Sequence, residues 1–287
     1  MASAAESEAF YDRQSPKEHL ATAPGAAFSL DALLYNICNP GDGLLVPTPC
    51  WNGFDWLLNV RSSVQPVFVP VENFDDVFTS KLIPALETAF IGSTWPIKGL
   101  LFTNPHNPFG QCYPEDIIVE VTKFCDRKKI HFISDEIYAL SGFSNPEIKE
   151  PVPFVSALQL DVRGLGCDLS RVHTLWSISK DLGSSGLRMG CCITQGNKPL
   201  AIGLALSSNT QMSSLTAVAA AGLLTSPDLP RLLALNSQRL AEAYSRVTSA
   251  LTRHGIHYIP ANMGPFLFAR LAPEAQTWDE ELDVGQD

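Results

Sequence analysis

The rest of this chain is organised around the stretch Ser177-Ile-Ser-Lys-Asp-Leu-Gly-Ser-Ser-Gly-Leu-Arg-Met-Gly190. It follows an apolar run, Val172 to Trp176, that predicts a buried strand. Its lysine, Lys180, stands among serines and three glycines, with Arg188 further on. A lysine that attacks a carbonyl must be held partly desolvated, since a solvated amine stays protonated and is a poor nucleophile. Hydroxyls and a guanidinium match phosphate oxygens, and glycines let the backbone approach, so the stretch indicates a reactive lysine beside a phosphate site.

The same residues taken singly also fit a glycine-rich loop with an ordinary exposed lysine. The whole string, however, resembles the lysine signature of the pyridoxal-phosphate-dependent class I and II aminotransferase family, whose enzymes have fold-type I. The resemblance implies that Lys180 carries the cofactor covalently and that Arg188, Ser177 and Ser179 bind its phosphate. Lys180 is therefore the predicted catalytic residue, and pyridoxal 5'-phosphate is the predicted cofactor.

Composition and charge argue against several other classes of protein. The 287 residues are 45% hydrophobic and 17% charged, which permits a sizeable core. The formal net charge of -10 argues against nucleic-acid binding, which needs a basic face. The seven cysteines lack a Cys-x-x-Cys pair, so we expect reduced thiols and no metal site. The polar N-terminus and the lack of a long apolar run predict a cytoplasmic protein without a signal peptide or membrane span.

A second candidate phosphate contact is the turn Ala23-Pro24-Gly25-Ala26-Ala27, which leads into an apolar helical run from Phe28 to Cys38. Backbone N–H groups at a helix start suit an anion, and many helices that bind none begin in the same way. Relatives usually carry a hydroxyl residue in this turn, where Ala26 and Ala27 stand here. We therefore predict that Gly25 and Ala26 bind the phosphate through backbone contacts, with one side-chain donor lost.

The loop after a predicted strand at residues 43–47 contains Trp51. In the family, an aromatic ring at this position lies flat on the pyridine ring of the cofactor, and the resemblance gives this role to Trp51. A tryptophan in an apolar stretch is also typical of a hydrophobic core. Both interpretations remain open from the pattern.

The loop Asn104-Pro-His-Asn-Pro-Phe-Gly110 follows a predicted strand at residues 98–103. Its prolines and asparagines are typical of a tight loop between a strand and a helix. Loops at the carboxyl ends of strands are also where open α/β sheets bind ligands. The loop is similar to the family's Asn-Pro-x-Asn-Pro-x-Gly motif, which implies that Asn107 binds the phenolic oxygen of the cofactor. His106 is interpreted as a variable loop position without a catalytic role.

The segment Asp135-Glu-Ile-Tyr138 ends a buried strand that begins at His131. A carboxylate in an apolar setting is costly unless it pairs with a cation. The segment is similar to the family's Asp-Glu-x-Tyr motif. The resemblance implies that Asp135 binds the protonated pyridine nitrogen and that Tyr138 binds the phenolic oxygen, while Glu136 is interpreted as structural.

The remaining pattern completes an α/β chain. The predicted elements are strands at 64–71, 191–194 and 256–269 and helices at 81–90, 114–129, 198–225 (one or two) and 226–254. We expect three parts: a flexible N-terminal arm (1–20), a pyridoxal-phosphate-binding large domain (21–225), and a linker helix with a partial small C-terminal domain (226–287). The resemblance implies a fold-type I large domain, with a mostly parallel central sheet flanked by helices, and the start of a small α/β domain.

The run from Asn39 to Pro49 and the later Gly53-Phe54-Asp55 resemble the 1-aminocyclopropane-1-carboxylate synthase-like branch of the family. That branch includes the synthase, aminotransferases and carbon-sulfur lyases of fungal secondary metabolism. The resemblance implies an enzyme that acts on the α-carbon of an amino acid, as a homodimer. The shared core does not separate transamination from elimination.

The chain also departs from the family pattern at both ends. Relatives bind the substrate α-carboxylate with an arginine in a segment that lies beyond the end of this chain, and Arg270 does not match it. The N-terminal segment is shorter than in the family. We therefore expect either a fragment or a protein with a replaced anchor. The alternative function is a catalytically weak or inactive remnant with a binding or regulatory role.

Overall fold

The computed structural model describes residues 17–272 of the chain. Most of its strands join one central sheet, and two short strands pair separately. In chain order the strands are β1 (Leu20–Ala23), β2 (Gly43–Pro47), β3 (Gln65–Val69), β4 (Ile97–Thr103), β5 (His131–Asp135), β6 (Val172–Ser177), β7 (Gly190–Thr194), β8 (Tyr258–Ile259) and β9 (Phe268–Ala269).

Helices alternate with these strands along most of the described chain. They are α1 (Ala26–Ile37), α2 (Gly53–Val60), α3 (Leu82–Gly92), α4 (Glu115–Lys128), α5 (Ile178–Asp181), α6 (Lys198–Ser208), α7 (Ser214–Leu224) and α8 (Leu229–Arg253). Short 3-10 turns occupy some of the connections, as at Lys17–His19 and Ser185–Leu187. None of the described helices combines the length and the apolar character that crossing a membrane requires.

The central sheet has seven strands in the order β1-β7-β6-β5-β4-β2-β3. Neighbouring strands from β3 to β6 run parallel, whereas β7 is antiparallel to β6 and β1 is antiparallel to β7. Parallel strands are covered on both faces and therefore consist of nearly continuous apolar runs, and β2 is buried along its whole length. The predicted α/β fold with a mostly parallel sheet is confirmed.

Two apolar clusters lie on the two faces of this sheet. Adjacent residues of one strand point to opposite faces, so Leu45 joins one cluster and Leu44 the other. The first cluster includes side chains of α3 and α4, and the second includes side chains of α1, α2 and α6. The sheet is therefore held between helical layers, and its strand ends have fixed positions.

The structure corrects one predicted element and adds three. The strand predicted at residues 256–269 is wrong, because the segment forms only β8 and β9, which pair antiparallel. Pro260 and Pro265 lack the N–H that a continuous strand needs, and Gly264 has a positive φ of 74°. The elements β1, α2 and α5 were not predicted. The predicted helical region at 198–225 is two helices, α6 and α7.

The structure describes only part of the predicted N-terminal arm and of the predicted C-terminal part. Residues 1–16 of the predicted arm lie outside the described residues. Lys17–His19 forms a 3-10 turn and Leu20 begins β1, so the last part of the predicted arm belongs to the structured chain. Beyond residue 225, α8 places Tyr244 against Phe143 and Ala261 in a separate small cluster.

Candidate functional site

A cavity of about 260 Å³ lies where the last residues of β4, β5 and β6 meet. Thr103, Asp135 and Ser177 are those strand ends, and they line the cavity together. Because the three strands are parallel neighbours, their carboxyl ends open at the same edge of the sheet. The cavity is lined by nine of the residues named from the sequence: Ala26, Trp51, Asn107, Asp135, Tyr138, Ser177, Ser179, Lys180 and Arg188.

Lys180 belongs to α5, a single helical turn that directly follows β6. Ser177 caps this turn, and its hydroxyl accepts the backbone N–H of Ser179 at 3.1 Å. The Lys180 side chain is exposed and lines the cavity, with its Nζ 5.8 Å from the ring centre of Tyr138. The strand-to-turn junction thus positions the amine over the ring that the sequence assigns to the same site.

The next residue, Asp181, anchors this turn to the segment that follows β5. Its buried carboxylate accepts hydrogen bonds from the Trp176 indole at 2.9 Å, the Ser141 hydroxyl at 2.5 Å and the Leu140 backbone N–H at 3.1 Å. Burial raises the pKa of Asp181 to about 6. Asp181 therefore fixes Lys180 relative to the segment that carries Tyr138, a role that the sequence analysis missed.

Replacing Asp181 by alanine is expected to destabilise the fold by about 3 kcal/mol, because three buried or half-buried donors would lose their acceptor. The free energy of unfolding in urea measures this. Asp228→Ala is the matched control, since Asp228 forms an exposed ion pair with Arg231 at 3.3 Å and its loss costs less than about 1 kcal/mol. Equal losses in the two variants would contradict the anchoring role.

Asp135 is a buried carboxylate with an unused acceptor. The residue is 6% exposed, and its Oδ1 has no hydrogen-bond partner among the described residues. Burial raises the pKa of Asp135 to about 7, against the smaller lowering effects of the Ile137 backbone N–H and of Lys180. Burial also raises the pKa of Tyr138 to about 12, and the nearby carboxylates add to the shift. A cationic N–H group of a ligand would supply the hydrogen-bond donor and the positive charge that the Asp135 carboxylate can pair with.

Glu136, the neighbour of Asp135, has its hydrogen bonds complete. It accepts the Ser134 hydroxyl at 2.8 Å, the Ser156 hydroxyl at 2.5 Å and the Ala157 backbone N–H at 2.8 Å. These bonds attach the loop before residue 160 to the end of β5. The arrangement agrees with the structural role predicted for Glu136.

The start of α1 and the guanidinium of Arg188 form one end of the site. Gly25 precedes α1 and gives it no side-chain cap, so the first N–H groups of the helix have no partner within residues 17–272. Gly25 does not line the cavity itself, but a Cβ there would lie 2.5 Å from Arg188 Nη2. Arg188 donates to the carbonyls of Pro24 at 3.0 Å and Ser185 at 2.8 Å. This end therefore gathers positive charge and N–H donors.

Gly190 sets how closely α1 approaches β7. A Cβ at Gly190 would lie 2.5 Å from both the Ala26 nitrogen and the Gly25 carbonyl carbon, and backbone atoms cannot yield as a flexible side chain does. Gly190→Ala is therefore expected to displace the start of α1 and to lower the free energy of unfolding by about 1–3 kcal/mol.

Urea unfolding measures that loss, with Gly222→Ala as the control. Gly222 lies within α7, and a methyl group added there would have no atom within 4 Å, so alanine is expected to be neutral or to stabilise by up to about 1 kcal/mol. A Gly190→Ala protein as stable as the parent chain would disprove the close contact between α1 and β7.

His106 connects the loops that carry Trp51 and Asn107. Its buried ring stacks on Phe109 at 4.8 Å, and its Nδ1 accepts the Phe109 N–H at 3.4 Å. The other ring nitrogen therefore carries the proton that bonds to the backbone of Pro49. Burial lowers the pKa of His106 to about 3, so the ring is neutral. His106 is a structural link and does not line the cavity.

Trp51 lines the cavity at the start of α2. Its side chain is 39% exposed and packs edge-on against Phe54, with ring centres 5.3 Å apart. The exposure excludes the core interpretation of Trp51. Stacking on a bound pyridine ring stays a prediction.

Other residues that line the cavity were not predicted from the sequence to belong to the site. These residues are Ala27, Leu30, Phe54, Leu57, Thr103, Ile137, Leu175 and Ser185. Sequence patterns could have indicated three of them. Phe54 and Leu57 have the i, i+3 spacing of one helical face, and Ser185 lies within the lysine signature at residues 177–190. The others needed the folded chain, because they come from separate elements.

These donors and charges fit pyridoxal phosphate. The unpartnered, buried oxygen of Asp135 suits the protonated ring nitrogen. The uncapped start of α1 and Arg188 suit a phosphate. Lys180, Tyr138 and Asn107 line the same cavity, where the family pattern requires an amine and two donors for the phenolic oxygen.

Comparisons with known proteins agree with this fit. The family model described as aminotransferase class I and II matches residues 7–283. The chain is 62% identical over 267 residues to a protein named "Probable aminotransferase aclI" from Aspergillus oryzae. This alignment covers 93% of this chain and 64% of the Aspergillus protein. It is 31% identical over 273 residues to 1-aminocyclopropane-1-carboxylate synthase 6 of Arabidopsis thaliana. That alignment covers 93% of this chain and 54% of the Arabidopsis protein.

A solved structure supports the fold. The chain matches the Thermus thermophilus aspartate aminotransferase tetra mutant 1 with a TM-score of 0.78 and 18% identity, covering 94% of this chain and 69% of that one. The chain spans roughly 64% of the length of its Aspergillus oryzae relative. The predicted family and its 1-aminocyclopropane-1-carboxylate synthase-like resemblance are confirmed. The chain belongs to the class I and II aminotransferases, a family whose members depend on pyridoxal phosphate.

Proposed function

We propose that this chain is a pyridoxal-phosphate-dependent enzyme that acts on the α-carbon of an amino acid. Its reaction is transamination or a 1-aminocyclopropane-1-carboxylate synthase-like or carbon-sulfur lyase reaction of secondary amino-acid metabolism. The observation that carries the proposal is Asp135, whose buried Oδ1 has no partner among the described residues in a cavity that Lys180 also lines. The similarity to a probable aminotransferase supports the same function.

The roles of the residues follow from their chemistry. Pyridoxal phosphate, when bound, supplies an electron sink for charge that develops at the α-carbon. Asp135 keeps a proton on the ring nitrogen, because that cation completes its unused acceptor. Tyr138 and Asn107, which line the same cavity, would donate to the phenolic oxygen. Lys180 would hold the cofactor covalently, and its free amine would move the proton at the α-carbon of a bound substrate as base and acid.

The walls of the cavity give the substrate its surroundings. Leu30, Phe54 and Leu57 line the cavity with apolar side chains, and Trp51 lines it as well. Among the described residues that line the cavity, the cations are Lys180 and Arg188. Lys180 holds the cofactor and Arg188 serves the phosphate end, so neither cation is left to bind the substrate carboxylate.

The lack of a cavity cation for the substrate carboxylate among the described residues favours a second candidate function. In this case the chain is a remnant that binds the cofactor, turns over little or no substrate and has a binding or regulatory role. Both functions predict a complex with pyridoxal phosphate. Only the enzyme converts a substrate, so turnover separates the two.

Titration of the purified chain with pyridoxal phosphate tests the shared part of the proposal. We expect the visible absorbance of lysine-bound cofactor, and borohydride reduction followed by peptide mass analysis should locate the cofactor on Lys180. No absorbance change and no labelled peptide would exclude both candidate functions.

A panel of amino acids and sulfur conjugates then assigns the reaction. Transamination yields a 2-oxo acid and passes the amino group to a second 2-oxo acid, without free ammonia. Elimination with hydrolysis yields a 2-oxo acid, ammonia and the leaving group, which is a thiol for a sulfur conjugate. A 1-aminocyclopropane-1-carboxylate synthase-like reaction instead yields a cyclic amino acid and the sulfur leaving group, without ammonia. A cofactor complex that forms none of these products supports the remnant.

The proposal includes a cytoplasmic homodimer. All seven cysteines are free thiols in the structure, which fits a reducing compartment. Some apolar side chains of α6 and α7 are exposed, among them Leu206 at 77% and Leu215 at 83%, and such exposure is typical of interaction surfaces. Light scattering on the purified chain should give the mass of a dimer, and a monomer mass would exclude it.

A further inference from the structure

We infer that the hydroxyl of Ser185 binds the phosphate of the cofactor and replaces the side-chain donor that the Gly25-Ala26-Ala27 turn lacks. The inference rests on the proposed function, because it concerns the same cofactor. It assigns a role to a serine of the motif to which the family resemblance gives none.

The two serines that flank Lys180 in the motif, Ser177 and Ser179, are hydrogen-bonded within the protein. Ser177 has one hydroxyl proton, which it donates to the Met189 carbonyl at 2.8 Å. The hydroxyl oxygens of Ser177 and Ser179 are also 2.8 Å apart, so the two side chains are hydrogen-bonded to each other. Both serine hydroxyls therefore already have a hydrogen-bond partner within the protein.

Ser185 differs from these two serines. It lines the cavity, its side chain is exposed, and its hydroxyl has no hydrogen bond to the described residues. A phosphate dianion has acceptor oxygens only and needs donors that are not already in use. Among the serines that line the cavity, Ser185 supplies such a donor without breaking an existing bond.

The backbone of Ser185 places it beside the other phosphate groups. Its carbonyl accepts Arg188 Nη1 at 2.8 Å, and the 3-10 turn Ser185–Leu187 ends at Arg188 with a positive φ of 53°. The same guanidinium reaches Pro24, next to the uncapped start of α1. Ser185 is therefore tied through Arg188 to the turn in which Ala26 and Ala27 offer no hydroxyl.

The adjacent serine provides a matched control. Ser184 is half-buried, does not line the cavity, and donates its hydroxyl to the Leu182 carbonyl at 3.0 Å. Ser184→Ala and Ser185→Ala remove the same atom from neighbouring positions of one loop. Only the second removes a donor that faces the cavity.

The test compares the equilibrium dissociation constants of pyridoxal phosphate and of pyridoxal, which lacks the phosphate, by absorbance titration of the full chain. Ser185→Ala is expected to weaken pyridoxal phosphate binding by about ten- to a hundredfold, the effect of one hydrogen bond to a charged group, and to leave pyridoxal binding unchanged. Ser184→Ala should alter neither constant, and Ser185→Thr, which keeps the hydroxyl, should bind as the parent chain does. Thermal unfolding of the cofactor-free variants checks that each is folded.

A second readout uses inorganic phosphate as the probe. Phosphate should raise the unfolding temperature of the cofactor-free parent chain and of Ser184→Ala more than that of Ser185→Ala. An unchanged constant for pyridoxal phosphate in Ser185→Ala, or a parallel loss for pyridoxal, would overturn the inference while leaving the proposed function intact. A parent chain that binds no pyridoxal phosphate would overturn both.

Discussion

Lys180→Ala is expected to abolish the visible absorbance that appears when the chain binds pyridoxal phosphate. It should also lower turnover at least about a thousandfold, because in the proposed function the lysine both carries the cofactor and moves the proton at the α-carbon. The side chain is exposed, so its removal should leave the unfolding temperature of the cofactor-free protein unchanged. Absorbance titration and the turnover assay on the same samples measure both effects.

Lys198→Ala is the control for this variant, since Lys198 is also exposed and lies at the start of α6, away from the cavity. It should keep the absorbance band and the turnover of the parent chain. An added small primary amine should restore part of the activity of Lys180→Ala if the amine itself does the chemistry. A band that persists in Lys180→Ala, or a borohydride label on another lysine, would refute the assignment of the reactive amine.

Asp135→Asn is expected to have opposite effects on the cofactor complex and on the cofactor-free protein. In the complex, the amide no longer offers a negative charge to the protonated ring nitrogen. Breaking a buried ion pair costs about 3–5 kcal/mol, so the dissociation constant should rise by more than about a hundredfold. Absorbance titration measures that change.

In the cofactor-free protein the same substitution should stabilise the fold at alkaline pH. Burial raises the pKa of Asp135 from 3.8 to about 7, so the folded chain holds this proton more tightly than the unfolded chain does. The contribution of Asp135 to stability is therefore present below pH 3.8 and is lost as the pH rises to about 7. The stability lost in this way is at most about 4 kcal/mol. The Asp135→Asn variant does not lose it, because asparagine does not titrate.

The measurement is the difference between the two free energies of unfolding, variant minus parent, as a function of pH. It should increase between about pH 4 and pH 8. Glu136→Gln is the control for affinity, because Glu136 bonds to Ser134, Ser156 and Ala157 and should not change the dissociation constant. An Asp135→Asn chain that binds the cofactor as tightly as the parent, or one whose stability difference falls with pH, would rule out this role.

Much of the large domain was predictable because its strands are buried on both faces. A strand in a parallel sheet consists of a continuous apolar run, and β2 was predicted with the bounds that the structure has. The motif residues follow such runs, so the carboxyl edge of the sheet was the expected place for Asn107, Asp135 and Lys180. The short β1 escaped prediction, since four residues hold little pattern and pair with β7, a distant part of the chain.

The sequence by itself determined the residue types of the candidate site, the order of the motifs and the family they indicate. Only the tertiary structure decided which polar atoms have partners. Within the described part of the chain, Asp135 has no partner at Oδ1 and Asp181 accepts three hydrogen bonds, and Ser185 differs from Ser184 in facing the cavity. The physical reason is that a hydrogen bond depends on where distant segments bring their donors and acceptors, and local sequence patterns carry no distances between such segments.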